Sequence, residues 1–284
     1  MRVALTIAGS DPTGGAGLQA DLKTFASLGV YGLSVTTAIT AQSTVGVVEA
    51  AALSADLVTS QIEAVAGDIN VHAAKTGMLG KAAIVEAVAA SIKELELPFV
   101  VVDPVLASSR GDRLLDDDGV QMLCAELLPL AHVVTPNIPE AEALSGKRIE
   151  SDEDVKEAAR RIYDLGAPAV LITGGHRPPG AGHRSPTTDD RSPTADRRPP
   201  EVIDVLFDGH HFVEFHTARV DTPGAHGTGC AFSAAITAYL ALGHPLVDAA
   251  ERAQRYVAAA IRNRMVLGHG QGLLDHFWGG ILRE

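Results

Sequence analysis

The chain has 284 residues, 46% of them hydrophobic and 20% charged, which suits one large α/β domain or two small ones with a substantial core. A formal net charge of −12 argues against nucleic acid as the main partner, since that role requires a basic face. Two distant cysteines argue against a disulfide framework and indicate a reducing cytoplasm, while the short apolar runs predict neither a signal peptide nor a membrane span.

Short apolar strands alternate with amphipathic helices along the chain. Strands are predicted at 3–9, 34–42, 72–77, 99–104, 132–137 and 169–175. Helices are predicted at 18–29, 57–65, 81–95, 117–128, 138–146, 152–166 and 245–265. A hairpin is predicted over 202–220, turning at Asp208-Gly209. Because the strands are continuous apolar runs, this alternation predicts a mostly parallel sheet covered by helices on both faces.

One segment, 177–200, interrupts the alternation. It is rich in Pro, Arg, Ser and Asp and contains the echo "RSPTTDD" then "RSPTADR". Such a composition buries little apolar surface and predicts a disordered, solvated insertion. An arginine flap that grasps phosphate is the alternative interpretation.

The stretch "HGTGCAFSAA" carries Cys230 at the junction of a glycine-rich turn and an apolar helix. The N–H groups of Thr228, Gly229 and Cys230 would point out of the first helical turn, and together with the helix dipole they predict an anion site. The alternative is a helix start that only packs on the sheet. The stretch is neither a P-loop, since no Gly-Lys-Ser/Thr follows, nor a dinucleotide fingerprint, since the βαβ context is missing.

Other polar residues also follow predicted strands, where active sites of parallel sheets lie. Asn137 and Glu140 could hold a hydrated Mg²⁺, or they could form an N-cap with a capping-box glutamate. Asp103 could serve a metal or a proton relay, or simply form a turn. The Gln42 amide offers both donor and acceptor, which suits an aminopyrimidine edge, but by itself the residue is better explained by loop hydrogen bonding.

Taken together, these segments resemble the hydroxymethylpyrimidine/phosphomethylpyrimidine kinases of thiamine biosynthesis, in the ribokinase superfamily. The matching pieces, in family order, are "ALTIAGSDPTGGAGLQADLKTF", "GVYGLSVTTAITAQST", "KTGML", "VVVDPV", "GDRLL", "VTPNIPEAEAL", "GGH" and "HGTGCAFSAAI". The resemblance implies a single domain over 1–284 with a ribokinase-like three-layer α/β/α sandwich and a mostly parallel sheet. It also implies ATP and Mg²⁺ as cofactors, a small pyrimidine substrate, a homodimer and a cytoplasmic location.

The resemblance also implies roles for individual residues. The pyrimidine pocket would be lined by Gly9, Asp21, Gln42 and Met78. The nucleotide would lie against Asn137, Glu140, Thr173 and Gly175, with Asp103 and Glu140 at the metal. The backbone of Gly227, Thr228 and Gly229 would form the anion hole, and Cys230 would accept the hydroxyl proton where many superfamily relatives have an aspartate. At a helix N-terminus the pKa of that thiol is expected to lie below its free value.

The chain departs from the family pattern at three places. Thr173 stands where the family usually has a lysine that faces phosphate, "SSRG" at 108–111 replaces "AKSG", and Gly224-Ala225 replaces "NT" before the HGTGC stretch. We hypothesise that Arg110, or an arginine of the insertion, replaces a lost charge. Three alternatives to the pyrimidine kinase stay open: a pyridoxal kinase, a cysteine-nucleophile hydrolase or acyltransferase with His226 as base, and a binding module that has lost catalysis.

Overall fold

A nine-stranded sheet forms the centre of the computed structural model, which describes residues 1–108, 111–176, 201–220, 222 and 225–280. The strands are β1 (Val3–Ser10), β2 (Tyr31–Ser43), β3 (Gly46–Ala52), β4 (Ala73–Thr76), β5 (Val100–Val102), β6 (Val133–Val134), β7 (Val170–Ile172), β8 (Glu201–Phe207) and β9 (Phe212–Ala218). Their order is β3-β2-β1-β4-β5-β6-β7-β8-β9. In that order, the six strands β2, β1, β4, β5, β6 and β7 run parallel to one another. Strand β3 is antiparallel to β2, β8 is antiparallel to β7, and β9 is antiparallel to β8.

Helices cover both faces of this sheet. They are α1 (Gly17–Ser27), α2 (Ala55–Ala66), α3 (Ala82–Glu94), α4 (Asp117–Met122), α5 (Ile138–Ser145), α6 (Asp152–Asp164), α7 (Thr228–Ala241) and α8 (Leu246–Arg262). One apolar core joins the sheet to α2 through α6, and a second joins its other face to α1, α7 and α8. The predicted three-layer α/β/α arrangement with a mostly parallel sheet is confirmed.

Some elements differ from the sequence-based expectation. The predicted hairpin is present as β8 and β9, but strand β3 was not predicted because its residues alternate poorly and remain largely exposed. The predicted helix over 117–128 is α-helical only to Met122 and continues as a π-helical segment, Leu123–Leu127. The insertion at 177–200 lies outside the described residues.

A small parallel pair, β10 (Ala225–His226) and β11 (Gly272–Leu273), fastens the segment before α7 to the C-terminal region. Helix α7 then packs against β1, β4 and β5, with ten of its 14 residues buried. Its many alanines allow this close approach to the sheet. Within the described ranges, no helix has the length and apolar character needed to cross a membrane.

Candidate active site

The carboxyl ends of the parallel strands carry most of the polar residues noted in the sequence. Asp103 follows β5, Asn137 follows β6, and Thr173 follows β7. Thr173 forms a parallel bridge with Asn137, and its N–H donates to the carbonyl of Pro136 at 3.0 Å. The expected meeting of these strand ends at one edge of the sheet is confirmed, and it defines the candidate site.

The turn before α7 requires glycine. Gly227 is the N-cap residue with a left-handed φ of 83°, and a Cβ atom there would overlap the carbonyl oxygen of Gly15. A Cβ on Gly229 would meet nothing within 4 Å, so open space adjoins the first helical turn. Among the described residues no side chain caps this helix start. A helix start with first-turn N–H groups that no side chain caps, at the positive end of the dipole, is the kind of site that binds anions.

A buried ion-pair layer lies beneath this helix start. Lys75 in β4 is fully buried, with its Nζ 2.9 Å from Asp21 Oδ1 and 4.0 Å from Asp103 Oδ2. Thr6 donates to the second Asp21 oxygen at 2.6 Å, and Ser233 of α7 donates to Asp103 at 2.9 Å. Burial alone would lower the pKa of Lys75, but the neighbouring carboxylates raise it above its ordinary value. The layer therefore fixes a cation directly under the site.

Lys75 was not predicted to have a role in the site. The available signal was a lysine inside a short apolar strand, because a strand buried on both faces holds a charge only when that charge is paired. The predicted contact of Asp21 with the pyrimidine stays a prediction. Its side chain is fully buried between α1 and the sheet, with both oxygens engaged by Thr6 and Lys75.

Cys230 lies next to this layer, in the first turn of α7. The N–H of Gly17 donates to its sulfur. Burial, opposed by Lys75 but reinforced by the carboxylates of Asp103 and Asp21, raises the pKa of the Cys230 thiol to about 12. The expectation of a lowered pKa is wrong for this structure, because desolvation and two nearby negative charges outweigh Lys75 and the hydrogen bond from Gly17.

Asn137 and Glu140 form the capping box that was one of the two interpretations. Asn137 Oδ1 accepts from the Glu140 N–H at 3.0 Å, and Glu140 Oε2 accepts from the Asn137 N–H at 3.0 Å. The second Glu140 oxygen accepts from the Leu106 N–H at 3.3 Å. Burial and the Asp103 carboxylate raise the pKa of Glu140 to about 7. Glu140 therefore caps the helix start and also carries a carboxylate whose ionised form is destabilised by burial and by Asp103.

The fit of a divalent cation depends on these two carboxylates. Asp103 and Glu140 are each only 6% exposed and repel one another when both are ionised. Within the described ranges no group of three or more His, Cys, Asp or Glu side chains is placed to hold a metal. Two carboxylates suit Mg²⁺, which keeps several waters and bridges to phosphate oxygens. A bound cation would relieve the repulsion, so the donor set fits Mg²⁺.

A polar cluster at the end of β2 contains Gln42. Its amide nitrogen lies 3.0 Å from Nε2 of His226, and its amide oxygen lies 3.2 Å from Oγ1 of Thr40. Nε2 of His226 is also 3.0 Å from Oδ2 of Asp11. Asp11 and His226 were not predicted to belong to a pyrimidine pocket. Their signal was the position of Asp11 in the glycine-rich loop and of His226 directly before the α7 turn.

Gly9 lies directly before the glycine-rich loop that carries Asp11, next to Met78. A Cβ on Gly9 would lie 3.1 Å from Sδ of Met78, so these two residues are in contact. The Met78 carbonyl accepts from the Thr37 hydroxyl at 2.6 Å, which fixes the backbone after β4. The structure therefore places Gly9 and Met78 together beside the loop that carries Asp11.

The end of β7 is held by a second buried carboxylate. Asp204 of β8 accepts from the Gly174 N–H at 2.8 Å and from the Gln254 amide at 2.8 Å. The exposed Gly175 follows, and its carbonyl accepts a 3.4 Å hydrogen bond from Arg219. Arg219 is thus a guanidinium beside Gly175, two residues after Thr173, and the sequence interpretation did not name it. The departures at Ser109 and Gly224, and the proposed compensation by Arg110, lie outside the described residues.

Comparisons with known proteins match nearly the whole chain. A family model described as phosphomethylpyrimidine kinase matches residues 11–275. A hydroxymethylpyrimidine/phosphomethylpyrimidine kinase of Rhizobium meliloti is 44% identical over 278 residues, which cover 97% of each chain. The thiamine biosynthesis bifunctional protein ThiED of Geobacter sulfurreducens is 46% identical over 272 residues, 96% of this chain, which spans about half (51%) of that longer protein.

A solved structure also matches. The ADP complex of Bacillus subtilis pyridoxal kinase superposes with a TM-score of 0.83 and 38% identity, covering 97% of each chain. The likeness therefore extends to a structure with bound nucleotide and to an enzyme named for a second vitamin substrate.

Proposed function

Because the chain belongs to the phosphomethylpyrimidine kinase family, we propose that it transfers a phosphoryl group from ATP to 4-amino-5-hydroxymethyl-2-methylpyrimidine and then to the resulting monophosphate, in thiamine biosynthesis. The observation that carries this proposal is the helix start at Gly227–Cys230, whose helix α7 donates a hydrogen bond from Ser233 to Asp103 at the end of β5. Phosphoryl transfer depends mainly on positioning and charge stabilisation, and N–H groups at a helix N-terminus supply both.

The remaining roles follow from position. The nucleotide phosphates would lie along Thr173 and Gly175, with the Arg219 guanidinium beside them. Mg²⁺, held by Asp103 and Glu140 through waters, would neutralise charge on those phosphates. Gly9, Gln42 and Met78 would contact the pyrimidine ring. The homodimer and the cytoplasmic location implied by the resemblance belong to the same proposal.

Cys230 is proposed as the acceptor of the substrate hydroxyl proton. With a pKa of about 12 the thiol carries its proton at neutral pH, so only a small fraction is available as base at any moment. A late proton transfer agrees with a loose transition state. In such a state the bond between the γ-phosphorus and the leaving ADP oxygen is mostly broken before the substrate hydroxyl gives up its proton. We do not expect a phosphocysteine intermediate.

Pyridoxal is the second candidate substrate, favoured by the likeness to the pyridoxal kinase structure. Both molecules carry a hydroxymethyl group on a nitrogen ring. An ADP-release assay with hydroxymethylpyrimidine, its monophosphate and pyridoxal decides between them. We expect turnover with both pyrimidines; ADP release with pyridoxal alone would overturn the proposal, and tight pyrimidine binding without ADP release would indicate a binding module.

The cysteine hydrolase alternative gains no support from the geometry. Nε2 of His226 faces Asp11 and Gln42, and the thiol that it would have to activate has a raised pKa. A cysteine nucleophile needs the opposite, a base within hydrogen-bond reach and a lowered pKa. Cys230→Ala separates the readings further: we expect a large loss of kinase turnover with ATP binding retained.

A further inference from the structure

The position of His226 creates a hydrogen-bonding constraint. Its Nε2 has two neighbours at 3.0 Å, the Asp11 carboxylate and the Gln42 amide nitrogen. A ring nitrogen carries either one proton or one lone pair, so it cannot donate to Asp11 and accept from Gln42 at once. With the amide nitrogen toward the ring, only one of the two contacts can be a hydrogen bond.

Asp11 settles which one. Its carboxylate is 4% exposed, and its other contacts are also donors: the Thr13 N–H and hydroxyl and the Ala16 N–H, each at 2.9 Å. Burial would raise the pKa of Asp11, whereas the donors of Thr13 lower it and favour the ionised carboxylate without any contribution from His226. An ionised carboxylate only accepts, so Nε2 of His226 must carry the proton.

The Gln42 amide must then present its oxygen to His226, because two N–H groups facing each other at 3.0 Å repel. Half a turn of the amide achieves this and places its nitrogen toward the Thr40 hydroxyl. Thr40 accommodates the exchange: its hydroxyl donates to the Ser10 carbonyl at 3.0 Å and keeps lone pairs free to accept from Gln42. Thr40 alone could also donate to an amide oxygen, so the choice is imposed from the His226 side.

We propose that the Asp11–His226 pair is a positioning device that fixes the order of donor and acceptor on Gln42, and thereby selects the ring edge that the site accepts. The remaining amide N–H then lies on the Thr40 side and the remaining oxygen lone pair on the His226 side. The matching ligand has a ring nitrogen acceptor next to an exocyclic amino donor. A 4-oxo pyrimidine presents the inverse pattern and would require the disfavoured amide orientation. This inference rests on the proposed pyrimidine kinase function.

The test compares kcat/KM for the 4-amino substrate with kcat/KM for its 4-oxo analogue, which carries the same hydroxymethyl group. His226→Leu removes the proton donor, whereas the matched His226→Gln keeps an N–H₂ group able to donate to both neighbours. We expect the amino-to-oxo ratio to fall about tenfold in His226→Leu, the worth of one hydrogen bond, and to be retained in His226→Gln. A uniform loss of turnover leaves this ratio unchanged and would overturn the positioning role.

A second measurement needs no substrate. A ¹⁵N correlation spectrum of histidine side chains in the free wild-type protein should show His226 protonated at Nε2, and a proton on Nδ1 alone would overturn the inference. The spectrum tests which ring nitrogen of His226 carries the proton, even if His226→Leu does not fold. If the wild-type protein shows the Nε2 proton but releases no ADP with the 4-amino substrate, the proposed function is wrong while the inferred amide orientation is retained.

Discussion

Glu140→Gln should stabilise the protein at neutral pH. The pKa of Glu140 is raised by burial and Asp103 from an ordinary 4.5 to about 7, so the folded protein holds a proton that the unfolded chain releases. The stability contributed by that proton is complete below pH 4.5 and is lost as the pH rises through 7. Each pKa unit corresponds to about 1.4 kcal/mol, so the loss is at most about 3.5 kcal/mol. Glutamine removes this loss and can still accept from the Asn137 N–H in the capping box.

The assay is urea unfolding of both proteins at pH 5 and pH 8 without divalent cations. The advantage of Glu140→Gln should be small at pH 5 and grow by about 2 to 3 kcal/mol at pH 8. Glu94→Gln, which removes the same charge from an exposed position of α3, serves as the control and should show no such growth. Mg²⁺ at pH 8 should stabilise the wild type and have little effect on Glu140→Gln. An advantage independent of pH would refute the reasoning.

Three further predictions concern the anion site and the nucleotide side. Gly227→Ala should reduce both activity and stability, by about 1–3 kcal/mol for the backbone strain alone, whereas Gly229→Ala, next to open space, should fold normally in a thermal melt. If Cys230 is the base, kcat should rise with pH between 7 and 10, because the thiolate fraction grows below a pKa of about 12; a flat profile shared by Cys230→Ser would exclude that role. Arg219→Ala should raise the KM for ATP more than the KM for the pyrimidine, and an unchanged KM for ATP would place the guanidinium away from the phosphates.

The buried ion-pair layer places paired charges directly beneath the site. Lys75 supplies one positive charge against the carboxylates of Asp21 and Asp103. Removing one member of a buried group of charges leaves the others unpaired, which is strongly destabilising. The layer therefore couples the folding of β4 and α1 to the correct placement of Asp103 beneath the anion site.

Hydrophobic periodicity and chain order determined most of the fold. Continuous apolar strands such as β1, β5 and β7 must be covered on both faces, and the helical patterns between them supply that cover. Right-handed parallel connection then brings the strand ends to one edge, so the neighbourhood of Asp103, Asn137 and Thr173 followed from the sequence. Strand β3 was missed because its residues remain largely exposed and therefore show no alternation of buried and exposed positions.

What the sequence alone determined is the family, the layered architecture and the set of polar residues at the strand ends, because local patterns and motifs encode these directly. Only the tertiary structure decided which of those residues are buried and what they face. Asp21 proved to lie under the site beside Lys75, the thiol of Cys230 proved to have a raised pKa, and Gln42 proved to meet His226 across 184 positions of sequence. Burial, pKa and hydrogen-bond polarity depend on neighbours brought together by folding, and no local pattern contains them.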